Sequence, residues 1–281
     1  MKIIECPRDA MQGLKGFIPT ETKVAYINQL LRVGFDTIDF GSFVSPKAIP
    51  QMRDTAEVLA KLDVSQTKSK LLAIVANVKG AEEAAQHEQI AYLGFPLSVS
   101  ETFQQRNTNK SIAEAMQQLA QMQEICIRAG KTLVTYISMG FGNSYNDPWN
   151  AETVIYFVKE LDQLEVKIIS LSDTIGVSNP ENIAYLFGQL IPAFKHIEFG
   201  AHLHTTPASW QEKVAAAYSA GCRRFDGAMR GFGGCPMAKD ELVGNMATEN
   251  LVRFFENKGL TLDLNKKAFD EALKQSGAVF S

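Results

Sequence analysis

The sequence predicts an α/β fold in which eight strand–helix units close into a single-domain (β/α)8, or TIM, barrel. Three observations predict it. Short β-branched or apolar runs alternate with longer helical periods along the whole chain. The strand-like runs are apolar throughout rather than alternating, as in a parallel sheet buried on both faces. A length of 281 residues suits one α/β barrel. The alternative is an open doubly wound sheet. Such sheets usually begin with a glycine fingerprint after the first strand, and here that loop reads Pro7-Arg8-Asp9-Ala10-Met11-Gln12.

The units follow in order. Strand 2–6 precedes a helix near 21–33, which Gly34 stops. Strand 35–40 leads to a helix at 51–61, and strand 70–76 to one at 80–87. After strand 89–94, Ser111 and Glu114 form a capping box that opens helix 111–129. In that helix Ile112, Met116, Leu119, Met122 and Cys126 recur at three- and four-residue spacing, which makes Cys126 a core residue. Gly130 ends it. Strand 132–138 pairs with helix 150–164. Strand 166–171 pairs with helix 180–193, opened by Asn179-Pro180. Strand 196–202 precedes helix 208–219 and its stop Gly221, and strand 223–227 precedes helix 247–258. The domain spans 1–281, with a short helical extension from about 262 to 281.

Composition narrows the function classes. Hydrophobic residues at 46% and charged residues at 21% give ample material for a soluble core. A net charge of −3 lacks the excess of basic residues that nucleic-acid binding needs. No run approaches the roughly 18 apolar residues of a membrane span. The N-terminus enters a strand directly, without a signal or transit pattern, so a cytoplasmic location is expected. Cys6, Cys126, Cys222 and Cys235 show neither zinc-type pairing nor a disulfide framework and read as reduced thiols. Cys6 on the first strand and Cys222 beside a helix stop read as structural.

A barrel collects its chemistry at the strand C-termini, which share one mouth. Nearly every strand end here offers a polar residue. Arg8-Asp9 follows strand one, Asp39 ends strand two, Ser138 ends strand five and Asp173 follows strand six. His202 and His204 close strand seven, where alternation points both imidazoles the same way. By itself such a pair equally describes two partly exposed strand-end histidines. Asp9 adds a carboxylate and Asn245 an amide oxygen, a donor set suited to Mg²⁺ or Mn²⁺, with Zn²⁺ the less expected ion. Arg8 is placed to stabilise a developing enolate oxygen. Asp39 and Asp173 are candidates for acid–base work or for holding a histidine ring N–H. The segment Arg230-Gly231-Phe232-Gly233-Gly234-Cys235-Pro236 reads as a deformable lid that carries the Cys235 thiol inward.

These residues resemble 3-hydroxy-3-methylglutaryl-CoA lyase, within the wider group of metal-dependent barrel lyases and Claisen-type synthases. The matching stretches run from position 8 to 249. They are Arg8-Asp9 with Gln12; Ile18-Pro19-Thr20-Glu21; Ser42-Phe43-Val44-Ser45-Pro46-Lys47 with Pro50-Gln51-Met52; Asp173-Thr174-Ile175-Gly176-Val177; His202-Leu203-His204; Gly233-Gly234-Cys235-Pro236; and Gly244-Asn245-Met246-Ala247-Thr248-Glu249. The resemblance implies cleavage of 3-hydroxy-3-methylglutaryl-CoA to acetyl-CoA and acetoacetate. It puts the divalent ion on Asp9, His202, His204 and Asn245, the enolate on Arg8 and its protonation on Cys235. Gln12 and Ser138 become candidates for substrate binding. An acyl-CoA substrate and a homodimer are expected, without nucleic-acid or membrane partners. Lys47, Arg106 and Lys110 are candidates to meet CoA phosphates, although solvated side chains are the favoured reading.

The chain departs from the family pattern at the mouth. Asp39 stands where Glu is usual, Thr205 where an acid usually follows His-x-His, Ala10 where Gly is usual, and Gly13-Leu14 where Asn-Glu is usual. The shorter Asp39 retracts its carboxylate by about 1.5 Å, one carbon–carbon bond. These changes imply a slower lyase or a related 3-hydroxy-acyl-CoA substrate; condensation of acetyl-CoA with a 2-oxo acid is the alternative reaction.

Overall fold

In the computed structural model eight parallel strands close on themselves: β1 (Lys2–Glu5), β2 (Thr37–Ser42), β3 (Lys70–Ile74), β4 (Ile90–Ser98), β5 (Thr132–Ser138), β6 (Ile168–Asp173), β7 (Glu198–Thr205) and β8 (Arg224–Gly227). Each pairs with the next, and β8 pairs with β1, so the predicted barrel is the fold. The structure describes residues 1–234 and 243–280. A two-residue strand, β9 (Gly244–Asn245), adds antiparallel to β7 with His204 opposite Asn245.

Eleven α-helices accompany the strands among the described residues: α1 (Pro7–Gln12), α2 (Thr20–Val33), α3 (Thr55–Ala60), α4 (Val78–Ala85), α5 (Glu101–Thr108), α6 (Ile112–Arg128), α7 (Ala151–Gln163), α8 (Pro180–Ala193), α9 (Trp210–Ser219), α10 (Thr248–Asn257) and α11 (Lys266–Val279). Local chemistry explains their ends. The Ser111 hydroxyl accepts from Glu114 N–H while Glu114 accepts from Ser111 N–H, the predicted capping box. Asn179 caps α8 ahead of Pro180. Gly34 ends α2 at φ +80°, a left-handed turn that favours glycine.

Three elements differ from the sequence reading. The segment read as the first loop is the short helix α1. α5 follows β4, which itself runs on to Ser98. β9 is too short for periodicity to reveal.

The main core lies between strands and helices, where outward residues such as Ile38, Leu93 and Ile169 meet the helical faces. A smaller apolar layer, including Leu72, Val134 and Ile168, fills the barrel itself. Lower in the barrel Arg224 crosses the space left by Gly200, where a Cβ would lie 3.0 Å from Arg224 Cδ. α11 packs on α2 and on the turn Met229–Gly231 after β8. Among the described residues no helix is long and apolar enough to cross a membrane.

Candidate active site at the C-terminal mouth

Pro7 starts α1 directly after β1, with φ preset for a helix. The helical turn then brings Arg8, Asp9 and Gln12 together, because residues three and four apart are neighbours on a helix. Arg8 Nη1 donates to Asp9 Oδ1 at 2.9 Å and to Gln12 Oε1 at 2.8 Å. Its Nε and Nη2 donate to Asp39, the latter at 2.5 Å. A guanidinium has five N–H groups. Nε–H and one Nη2–H serve Asp39 and both Nη1–H serve Asp9 and Gln12, so one Nη2–H remains.

Strand register brings the other components to the same height. Ile137 pairs with Leu171 and Ser172 with His202, so Ser138, Ser172 and His202 occupy neighbouring positions around the mouth. One pocket is lined by Arg8, Asp9, Gln12, Ser138, His202 and His204, with an apolar wall that includes Ile74 and Phe103. Seven predicted site residues besides Gln12 and Ser138 lie among the described ones, and five of these (Arg8, Asp9, His202, His204 and Asn245) converge here. Asn245, on β9, donates from Nδ2 to Asp9 Oδ2 at 2.7 Å and to the Phe232 carbonyl at 2.9 Å. That leaves its amide oxygen as the atom able to meet a cation.

The donor set fits a divalent ion. One donor atom each from Asp9, His202 and His204 lies within 4.8 Å of the others. The buried Nδ1 of His204 has no hydrogen-bond partner. Burial, and then the charge of His202, push His204 down to about 4, so its imidazole is neutral at pH 7. Burial opposes ionisation of Asp9, but Arg8 and both histidines hold it down at about 2. A carboxylate and a neutral imidazole are the ligand forms that metals require.

Asp39 sits inside β2 rather than at its end, just before a register shift between Asp39 and Gly41. It is 1% exposed and faces Arg8. Burial pushes it up to about 6 even with Arg8 beside it, leaving it ionised at neutral pH. Asp173 is the last residue of β6, and its carboxylate is committed to structure rather than to a histidine ring. It accepts from Ser178 N–H and Oγ–H and from Lys213 Nζ at 2.8 Å. Lys213 also donates to the backbone carbonyls of Gly176 and His204, both at 3.0 Å. Asp173 therefore steadies the end of β7 through Lys213.

The partner of the His202 ring is Asp226, whose Oδ2 lies 3.1 Å from Nδ1. Sequence reading passed over it, although Arg224 and Asp226, two apart inside an apolar strand, signal two charges facing the barrel interior. Burial would lower the His202 pKa, but Asp226 and Asp9 raise it.

The glycines after β8 permit close approach. Gly233 has φ +97°, and a Cβ there would lie 2.6 Å from Asn245 Nδ2 and 2.9 Å from the Asp9 carbonyl. Cys235 lies outside the described residues. Thr205 ends β7 opposite Gly244.

Comparison with known proteins gives the family of the chain. Residues 2–275 match the HMGL-like family. The Bacillus subtilis hydroxymethylglutaryl-CoA lyase YngG is 32% identical over 95% of this chain and 89% of its own length. The cytoplasmic 3-hydroxy-3-methylglutaryl-CoA lyase of Rattus norvegicus is 32% identical over 95% of this chain and 78% of its own. Among solved structures, an HMG-CoA lyase from Acinetobacter baumannii, in complex with coenzyme A and 3-methylmalate, superposes with a TM-score of 0.92 at 30% identity, covering 100% of this chain and 91% of that one. The HMG-CoA lyase of Brucella melitensis gives 0.91 at 30% identity over 99% and 98%. With a family match over residues 2–275, relatives 32% identical over 95% of the chain and lyase structures that superpose on the whole barrel, this protein belongs to the HMGL-like family.

Proposed function

We propose that the chain cleaves 3-hydroxy-3-methylglutaryl-CoA to acetyl-CoA and acetoacetate with a divalent ion, Mg²⁺ or Mn²⁺. The observation that carries this reading is the meeting of Asp9, His202 and His204 beside Arg8 at one pocket. Asp9, His202, His204 and the Asn245 amide oxygen would hold the ion. When bound, such an ion supplies Lewis-acid polarisation of the substrate's hydroxyl and carboxylate oxygens.

The chain's own groups take up the enolate, the substrate's orientation and the protonation of the enolate carbon. Arg8 is held by Asp39, Asp9 and Gln12, so its remaining N–H is presented without rotational freedom. As a base takes the proton of the substrate's tertiary hydroxyl and that oxygen becomes the ketone of acetoacetate, the carbon–carbon bond breaks, its electron pair passes to the thioester carbonyl, and that N–H stabilises the enolate oxygen. Gln12 and Ser138, both at the pocket wall, orient the substrate. Cys235 is assigned protonation of the enolate carbon on the family resemblance. Asp39 orients Arg8, and Asp173 acts as a positioning residue through Lys213. A coenzyme A thioester is the substrate class that the relatives' names support.

A second reading, a related 3-hydroxy-acyl-CoA substrate, rests on Asp39, whose short side chain draws Arg8 toward β2. The test is incubation of the folded protein with the thioester under Mg²⁺ and then Mn²⁺, with acetoacetate as the readout. No product under either ion overturns the proposal.

A further inference from the structure

We propose that Cys6, His202 and Asp226 form a second, soft-metal site on the barrel floor that takes Zn²⁺ or Cd²⁺ and disables the hard-metal site above it. The inhibitory half of this proposal rests on the lyase reading; the binding half does not.

Cys6 follows β1 directly and donates its N–H to the Gly227 carbonyl of β8, the strand that carries Asp226, and His202 comes from the adjoining β7. One donor atom each from the Cys6 thiol, the His202 ring and the Asp226 carboxylate lies within 4.8 Å of the others. Ligands on one zinc ion lie at about 2.0 Å for nitrogen and about 2.3 Å for sulfur. Closing the triad on an ion therefore needs shifts below about 1 Å. The groups are poorly satisfied without one. Asp226 is 2% exposed and its Oδ1 has no hydrogen-bond partner. The Cys6 thiol has only a long contact of 3.9 Å to the Ile4 carbonyl.

The two triads differ in softness. Asp9, His202 and His204 offer oxygen and imidazole, whereas the floor triad adds sulfur, which selects Zn²⁺ or Cd²⁺ over Mg²⁺. His202 belongs to both. A soft ion on the floor draws that ring away from Asp9 and His204, leaving the upper site one ligand short. Binding forms a sulfur–metal bond and releases the thiol proton to solvent, with no change of oxidation state.

The test titrates Cd²⁺ into the folded protein in excess Mg²⁺, without substrate, and follows the ultraviolet thiolate-to-metal charge-transfer absorption. The expected result is a band saturating at one ion per chain in the native protein and in Cys235→Ser, and reduced about tenfold or more in Cys6→Ser. Cys6→Ala is the second variant should Cys6→Ser misfold, with folding checked by circular dichroism. Cd²⁺ should also lower acetoacetate formation about tenfold in the native protein and less than about twofold in Cys6→Ser. No band in the native protein, an undiminished band in Cys6→Ser, or its loss in Cys235→Ser overturns the proposal. A Cys6-dependent band in a protein that makes no acetoacetate supports the metal site while defeating the lyase reading.

Discussion

Asp226 on β8 accepts a hydrogen bond from Nδ1 of His202 on β7 across 3.1 Å. A carboxylate can only accept, so Nδ1 holds a proton, and in the neutral ring that binds a metal Nε2 keeps the lone pair. This is the carboxylate–histidine arrangement that fixes ring orientation at metal sites. Asp226→Asn retains the shape but lets an N–H face the ring and impose the wrong tautomer. Calorimetric titration with Mn²⁺ should show affinity lowered about 10–100-fold, with the fold intact by circular dichroism. Unchanged affinity would mean that Asp226 does not orient the ligand.

The Arg8–Asp39 pair gives a prediction that opposes the family pattern. Restoring the usual residue with Asp39→Glu adds a methylene to a side chain 1% exposed and already within 2.5 Å of Arg8 Nη2. The guanidinium must move outward, and displacement on the order of 1 Å lowers rates by about 100-fold. We expect kcat to fall by that order while KM changes little. A rise in kcat on the 3-hydroxy-3-methylglutaryl thioester would show that Asp39 is an adaptation to another substrate.

Much of the site was legible because barrel geometry ties function to strand ends. Arg8, Asp9, Ser138, His202 and His204 could be placed from run lengths and alternation alone. Asn245 required the family resemblance as well, since the two-residue β9 that aligns it with His204 has no periodic signal. Asp173 stood out as the acid after strand six, whereas Asp226, inside an apolar run, gave no comparable signal. The three-dimensional position of Lys213, on α9, shows that Asp173 serves the backbone, and the contact of Asp226 with Nδ1 shows which acid serves the imidazole of His202. The glycines at 231–234 suggested deformability by composition, but Gly233 is required for its approach to Asn245 and Asp9.

Glu5 predicts a pH-dependent stability. It is fully buried on the outer face of β1, accepting from Met229 N–H at 2.9 Å and from the Thr248 hydroxyl at 2.5 Å. Burial pushes its carboxyl up to about 8 against those two hydrogen bonds, with Glu249 adding to the rise. In the unfolded chain it titrates near 4.5. Between these values the folded state binds the extra proton, so stability falls as pH rises, by up to about 1.4 kcal/mol per pH unit, and levels off above about 8. Glu5→Gln mimics the protonated acid. Urea midpoints should show the variant gaining on the native protein by a few kcal/mol between pH 5 and 8. A difference independent of pH would remove Glu5 as the cause.

The C-terminal helix reaches the candidate metal site through packing. Arg230, at φ +61°, donates from Nε to the Leu273 carbonyl and the Ser276 hydroxyl of α11, each at 3.2 Å. Phe280 packs at a tilt against Phe232 with ring centroids 5.0 Å apart and meets Tyr26 edge-on at 5.6 Å. The Phe232 carbonyl in turn holds Asn245 Nδ2, whose other hydrogen bond goes to Asp9. Removing the Phe280 ring should therefore do more than open a cavity. Phe280→Ala should lower unfolding free energy by about 3 kcal/mol. In the fraction that remains folded, it should also weaken Mn²⁺ binding, because Phe232 and with it Asn245 lose their fixed height. Phe280→Leu refills most of the volume and should recover both properties in parallel. If Mn²⁺ affinity stays at the native value while stability drops, α11 is a packing element alone, and the Phe232–Asn245–Asp9 connection transmits nothing to the site.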